Sequence, residues 1–353
     1  MMEFDFALLQ RVGFSQAQLS EIAGLDEVVT RDAKLFRIVE LHRETVTLHD
    51  GAGTRSARIL PRLHRELAEA GTALAVGDWI LAREDWVFAR IAPINHLVRR
   101  DGSGKRHPVV SNVDTALLVM GLDGDFNPRR LERFLALAAS SGAISVVVLT
   151  KADHCGEVDA QLDLLRGRVP AHVPIHALDA RDVHAVRALQ PYCERGQTLV
   201  LLGSSGAGKS TLTNSLLGDA IQDTGSTREH DSRGKHTTTA RSLRIIEGGA
   251  CIIDTPGVRT LQPDVDEETL AASYEDIQSL ALQCKFANCA HGQEPDCAVR
   301  EGIGADRLKN FHKMMLEAKR ETMSALELKQ QRAQWKVRGK AGRARMLEKQ
   351  RSV

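Results

Sequence analysis

The spacing of apolar residues changes twice along the chain, and each change marks a different kind of structure. Between Leu35 and Ile94 the apolar residues fall into short runs, "FRIVEL", "TVTLHD", "SARILP", "DWILAR" and "WVFARI", parted by turn material such as Gly51 to Gly53 and Gly77-Asp78. About five short strands in this space predict a small closed β-barrel over residues 35–98, of OB-fold type or the similar SH3 type. Residues 1–34 read as a short helical lead-in. After the loop "RRDGSGKRHPVVSN", strand runs alternate with helices: Thr115–Met120, Arg129–Ser140, Ile144–Leu149, Val158–Arg168, then "HVPIHA" and "TLVLL" with another helix between them. This βαβα alternation over 99–263 predicts an α/β domain with a mostly parallel sheet covered on both faces. Its first helix has start chemistry, with Asn127 as N-cap, Pro128 at the first position and Leu131, Phe134, Leu135 and Ala138 on one face. Beyond Pro263 the pattern is helical and polar, interrupted by a Cys/His cluster. That predicts a helical domain over 264–328 and a tail over 329–353.

Composition narrows the class. The 353 residues are 42% hydrophobic and 26% charged, which excludes collagen-like, coiled-coil and wholly disordered chains. No apolar run approaches the roughly 18 residues that span a bilayer. The start "MMEFDFALLQ" is acidic and has no small-residue cleavage site, so no secretory signal is expected and the expected location is the cytoplasm, without membrane. Six cysteines are too few for a disulfide scaffold in a chain this long and fit a reducing compartment. The net charge of +1 hides an asymmetry: from Lys329 to Val353 there are nine Lys/Arg against one acid, Glu348, so the remaining body is acidic.

The strongest chemical signal is "GSSGAGKST", residues 203–211, between the strand "TLVLL" and a helix closed by Gly218. Gly203, Gly206 and Gly208 let backbone amides turn towards phosphate oxygens, together with those of Ser204, Ser205, Ala207 and Thr211. Lys209 brings charge to the β- and γ-phosphates, and Ser210 offers its hydroxyl to Mg²⁺. "DTPG", residues 254–257, follows the strand "ACIID"; Asp254 is placed for Mg²⁺ and the Gly257 amide for the γ-phosphate, and Val258 stands where many GTPases carry Gln. "LTKAD", residues 149–153, supplies Thr150, Lys151 and Asp153. The Asp153 carboxylate can accept from N1–H and the N2 amino group of guanine, a donor pair adenine lacks. The base-reading element precedes the P-loop, the reverse of the usual order, which marks a circular permutation.

In this order the motifs resemble the circularly permuted GTPases of the ribosome small-subunit-dependent family, often called RsgA or YjeQ. The resemblance spans about residues 35–320 and includes a fourth motif, "GKHTTTAR" at 234–241, where switch I belongs. It implies an N-terminal OB-fold, a permuted GTPase domain and a C-terminal zinc domain. It further implies a Mg²⁺-binding Thr238 and a His236 that assists hydrolysis. The implied partners are GTP and GDP, the 30S subunit and its 16S rRNA, with the chain acting as a monomer in late subunit assembly. The family's guanine-side "SA" element lacks its serine in "HALDARD". Cys284, Cys289, His291 and Cys297 are three thiolates and an imidazole within 14 residues, matching one closed, structural tetrahedral zinc. Cys155, Cys193 and Cys251 read as small core residues. Trp79, Trp86 and Phe88 are candidates for base stacking, with core packing the commoner use. Two other functions compete: an ATP-using P-loop enzyme, and a nucleotide-regulated RNA-binding module with little turnover.

Overall fold

The computed structural model describes residues 4–26, 30–100, 105–218, 241–246, 248–255 and 262–322, with the backbone alone at 262, 263, 321 and 322. Five strands close the expected barrel: β1 (Lys34–Leu41), β2 (Thr45–His49), β3 (Thr54–Ile59), β4 (Trp79–Arg83) and β5 (Trp86–Arg90). The ring runs β1-β2-β3-β5-β4 and returns to β1 through Lys34↔Ala82 to Arg37↔Trp79. Alternate residues point inward, so Phe36, Ile38, Val46, Leu48, Ile80 and Val87 form one buried cluster. A helix at Pro61–Glu69 joins β3 to β4, with Pro at its start and Leu63 and Leu67 buried four residues apart. Strand β6 (His96–Arg100), which begins inside the span expected for the barrel, turns away and pairs with β7 (Arg106–Ser111).

The α/β sheet contains β8 (Thr115–Gly121), β9 (Ile144–Thr150), β10 (Ile175–Ala177), β11 (Thr198–Leu202), β12 (Ser242–Ile245) and β13 (Cys251–Asp254). Its order is β10-β9-β8-β11-β13-β12, parallel except for β12. Apolar clusters lie on both faces, as buried parallel strands require. The chain leaves β8 in one direction, to β9 and β10, and later enters β11 on the other side of β8. That reversal opens a crevice at the carboxyl ends of the strands, where ligands bind in such sheets.

Two features join barrel and sheet. Strand β12 pairs with β1 at Glu40↔Ser242, making one continuous hydrogen-bonded sheet. Arg37, fully buried in β1, donates to the carbonyls of Val12 (2.5 Å), Gly77 (3.2 Å) and Asn112 (2.9 Å) and to Thr198 Oγ1 (2.9 Å). Burial pushes its pKa down, and Cys251, Asp114 and Asp78 oppose that. The lead-in is anchored there too: Phe14 is buried edge-on against Trp79 at 4.9 Å.

The helix Pro128–Ser141 begins as the sequence predicts, with Asn127 Oδ1 accepting from the Arg130 amide at 3.1 Å, and ends at Gly142, φ 74°. Its outer face receives the C-terminal helices Glu267–Ala272, Glu275–Ala281, Ala298–Gly302 and Ala305–Thr322. Glu132, 3% exposed, is the hub: it accepts from Arg307 at 2.7 Å and from Asn310, with Tyr274 and Arg168 each at 3.4 Å. Arg307 also holds Asp276 through two bonds of 2.7 Å, and Arg133 holds Glu317 at 2.7 and 3.0 Å. Strand β14 (Gln262–Pro263) adds to β6, and Asp264 beyond it is gripped by Arg100 and Arg106, both at 2.6 Å. Among the described residues no helix is long and apolar enough to cross a membrane.

Candidate nucleotide-binding site and metal centre

Because β8, β9, β11 and β13 are parallel, the segments that follow them emerge at one edge. The P-loop follows β11, Thr150 to Asp153 follow β9, and Asp254 ends β13. Gly203 is required by space, since a Cβ there would lie 2.4 Å from the Val119 carbonyl. Gly208 is required by conformation: at φ 89° it turns the chain into the helix Lys209–Leu217, and a Cβ would also meet Thr150 Oγ1 at 3.0 Å. The helix ends at Gly218, φ 75°, as its sequence predicts. Ser205 and Gly206 are exposed at the rim, while Ser210 and Thr211 are half-buried in the first turn.

Lys209 is 6% exposed, and its Nζ donates to the carbonyls of Gly203 (3.0 Å) and Ser204 (2.7 Å). Burial lowers its pKa, and the carboxylates of Asp254 and Asp125 act in the opposite direction. Asp254 is 3% exposed, a buried hard-oxygen donor beside the P-loop lysine, which suits Mg²⁺. The segment 150–153 is tied to the P-loop directly. Thr150 Oγ1 donates to the Ala207 carbonyl at 2.6 Å, and Lys151, at φ 60°, reaches the Gly206 carbonyl at 2.8 Å and Asp123 at 2.6 Å. Asp153 stands beyond them, its Oδ2 accepting from Arg181 at 2.6 Å and 3.0 Å from His154 Nε2. Thus Thr150, Lys151, Asp153, the P-loop residues 203–211 and Asp254 are brought to one edge. His236, Thr238, Gly257 and Val258 lie outside the described residues, as does the tail 329–353.

Sequence reasoning missed the acids of the β8 loop. Ser204 Oγ donates to both oxygens of Asp125, at 2.6 and 2.7 Å, and Arg130 reaches Asp125 Oδ1 at 2.5 Å. The only available signal was an acid pair, "DGD", directly after a buried strand. Arg181 and Asp179 were missed as well, because they occupy the segment where the "SA" element is absent.

The Cys/His centre is compact. The ligand atoms of Cys284, Cys289, His291 and Cys297 all lie within 4.8 Å of one another. Cys284 Sγ is 3.7 Å from His291 Nδ1 and 3.9 Å from Cys297 Sγ, and Cys297 Sγ is 3.6 Å from His291 Nδ1. A tetrahedral zinc with ordinary bond lengths needs edges of about 3.8 Å between sulfurs and about 3.5 Å from sulfur to nitrogen, so the set fits. Cys297 also caps the helix Ala298–Gly302, accepting from the Arg300 amide at 3.4 Å. The other three cysteines are free, with Cys251 buried and Cys155 and Cys193 half-buried. Of the barrel aromatics, Trp79 is core at 1% exposure; Trp86 is exposed, and half-buried Phe88 lies under Arg83 at 4.3 Å.

Comparison with known proteins agrees with this geometry. Residues 91–264 match the family model described as RsgA GTPase. A protein of Xanthomonas oryzae pv. oryzae named "Small ribosomal subunit biogenesis GTPase RsgA" is 40% identical over 324 residues, covering 89% of each chain. A protein of the same name from Xanthomonas campestris pv. campestris is 42% identical over 290 residues, covering 80% of each. Among solved structures, YjeQ from Thermotoga maritima superposes with a TM-score of 0.59 at 24% identity, over 81% of this chain and 98% of that one. YloQ, titled a circularly permuted GTPase, gives 0.56 at 21% identity, over 83% and 97%. These two support the fold, and the curated relatives do not favour a binding module without turnover. By motif order, architecture and sequence identity, the chain belongs to the RsgA GTPase family.

Proposed function

We propose that the chain binds GTP at this sheet edge, hydrolyses it, and uses the cycle in assembly of the small ribosomal subunit through contact with 16S rRNA. The observation that carries this reading is the tie between Thr150–Lys151 and the P-loop carbonyls of Ala207 and Gly206, which joins base side and phosphate side in one site. The amides of residues 203–211 and the Gly257 amide receive phosphate oxygens, and Lys209 turns from the P-loop carbonyls to the β- and γ-oxygens. Thr150, Lys151 and Asp153 hold the guanine. Ser210, Asp254 and Thr238 would hold Mg²⁺, which supplies charge neutralisation on the transferred phosphoryl group. His236 orients the water that attacks the γ-phosphorus in line; the bond to the β–γ bridging oxygen breaks, GDP leaves with that electron pair, and the water's protons leave with the inorganic phosphate and solvent.

Cys284, Cys289, His291 and Cys297 hold one structural zinc, since four protein ligands leave no open position. The protein acts as a cytoplasmic monomer, and its basic run 329–353 adds rRNA phosphate contacts. The subunit assignment rests on the names of the curated relatives. Phosphate release measured across titrations of 30S, 50S and 70S particles tests it. Turnover should rise with 30S; a rate indifferent to all three would refute the ribosomal reading.

A further inference from the structure

The base-reading carboxylate has a second suitor. Parallel pairing of β10 with β9, through Ala177↔Leu149, brings the segment 178–181 beside 150–153. Leu178 N donates to the Leu149 carbonyl at 2.9 Å, so the two segments leave the sheet together. Asp179 then fixes the Arg181 side chain, accepting from its Nε and Nη2, each at 3.1 Å, and from its backbone amide at 2.9 Å. So held, the guanidinium reaches Asp153 Oδ2 at 2.6 Å, while His154 Nε2 lies 3.0 Å from the same oxygen.

A carboxylate that reads guanine needs both oxygens, one for N1–H and one for the N2 amino group. Arg181 spends its two-donor edge on Asp179, through Nε and Nη2, and gives Asp153 a single Nη2 bond at Oδ2, one of the two oxygens that guanine needs. Arg181 and guanine therefore compete for one acceptor. We propose that Arg181 is a guanine competitor: it holds Asp153, guanine displaces it, and Asp179 keeps the freed guanidinium at the rim, where it recaptures Asp153 as the base leaves. This rests on Asp153 being the base reader. Its consequence is an affinity held below the site's intrinsic value, equally for GTP and GDP, because the competition never involves the γ-phosphate.

The pair is exposed, with Arg181 62% accessible. Exposed ion pairs are weak, so Arg181→Ala should tighten GTP and GDP binding alike by about 2- to 5-fold. Salt screens such pairs, so the difference between wild type and variant should shrink as ionic strength rises. Fluorescent GTP and GDP titrations of wild type, Arg181→Ala, Asp153→Asn and the double variant decide it. Asp153→Asn should weaken GTP binding, and adding Arg181→Ala to it should change nothing further. Unchanged GTP affinity in Asp153→Asn removes the base reader, and with it this inference. Weakened binding in Asp153→Asn combined with unaltered or weaker binding in Arg181→Ala overturns the competitor alone.

Discussion

Replacing Glu132 by Gln removes a charge without opening space, at the point where the helix Pro128–Ser141 carries the C-terminal helices. The wild-type carboxylate accepts from Arg307 at 2.7 Å and from Asn310, and Arg168 approaches at 3.4 Å. Removing one partner of a buried ion pair costs about 3–5 kcal/mol when the other charge is abandoned. Arg307 is not abandoned, because Asp276 keeps both of its bonds at 2.7 Å. What remains is the loss of one charge-assisted bond, about 1.5–3 kcal/mol, plus repulsion between Arg168 and Arg307. We expect about 2–3 kcal/mol, a shift of roughly 30- to 150-fold in the docking equilibrium. Hydrogen exchange reads this locally: amides of Ala305–Thr322 should exchange faster by that factor while those of β8 and β11 keep their protection. Uniform acceleration across the chain, or none, would refute the view that Glu132 governs docking rather than global stability.

Three further outcomes follow from single sites. Arg37→Met should cost about 2–4 kcal/mol in urea unfolding, since the Val12 and Asn112 carbonyls lose their donor while relief from burying a charge offsets part; the Gly77 carbonyl keeps Asn112 Nδ2 at 3.0 Å. Stability within about 0.5 kcal/mol of wild type, the ordinary range of surface changes, would contradict this. Purified untagged protein should contain one zinc, with Cys297→Ser loosening the metal and the helix Ala298–Gly302 that it caps; metal analysis finding none would remove the centre. Lys209→Ala should weaken GTP binding by about 10- to 150-fold through loss of charge-assisted phosphate bonds, read by nucleotide titration, and near-wild-type affinity would place the phosphates elsewhere.

The places of "LTKAD", "GSSGAGKST" and Asp254 were legible because each stands at the end of an apolar strand, and one chain segment supplies each. The barrel was legible for a similar reason, five short alternating runs, and all five became strands. The helix Pro61–Glu69 escaped notice although Pro61 and the Leu63/Leu67 spacing signalled it; two buried leucines among charged residues give a short, faint period. Contacts distant in sequence were not legible at all. Nothing about Asp125 announces Ser204, 79 residues on, or about Glu132 its bond to Arg307, 175 residues on. Arg37 was not legible either: an arginine within "FRIVEL" carries no signal of burial, and only the fold shows three carbonyls converging on it.

The junction of β12 with β1 also bears on solubility. A sheet edge with free amides and carbonyls is a template for pairing with another molecule. At one margin of the GTPase sheet that hazard is limited by brevity, since β10 has only three residues and follows Pro174. The other margin is β12, "SLRI", and there the barrel itself lies across the open edge through Glu40↔Ser242. A chain trimmed to begin at β6 would bare that edge and should self-associate as concentration rises, visible by light scattering, whereas the full chain should not. The barrel is therefore a cover for its neighbour's edge as well as a module of its own.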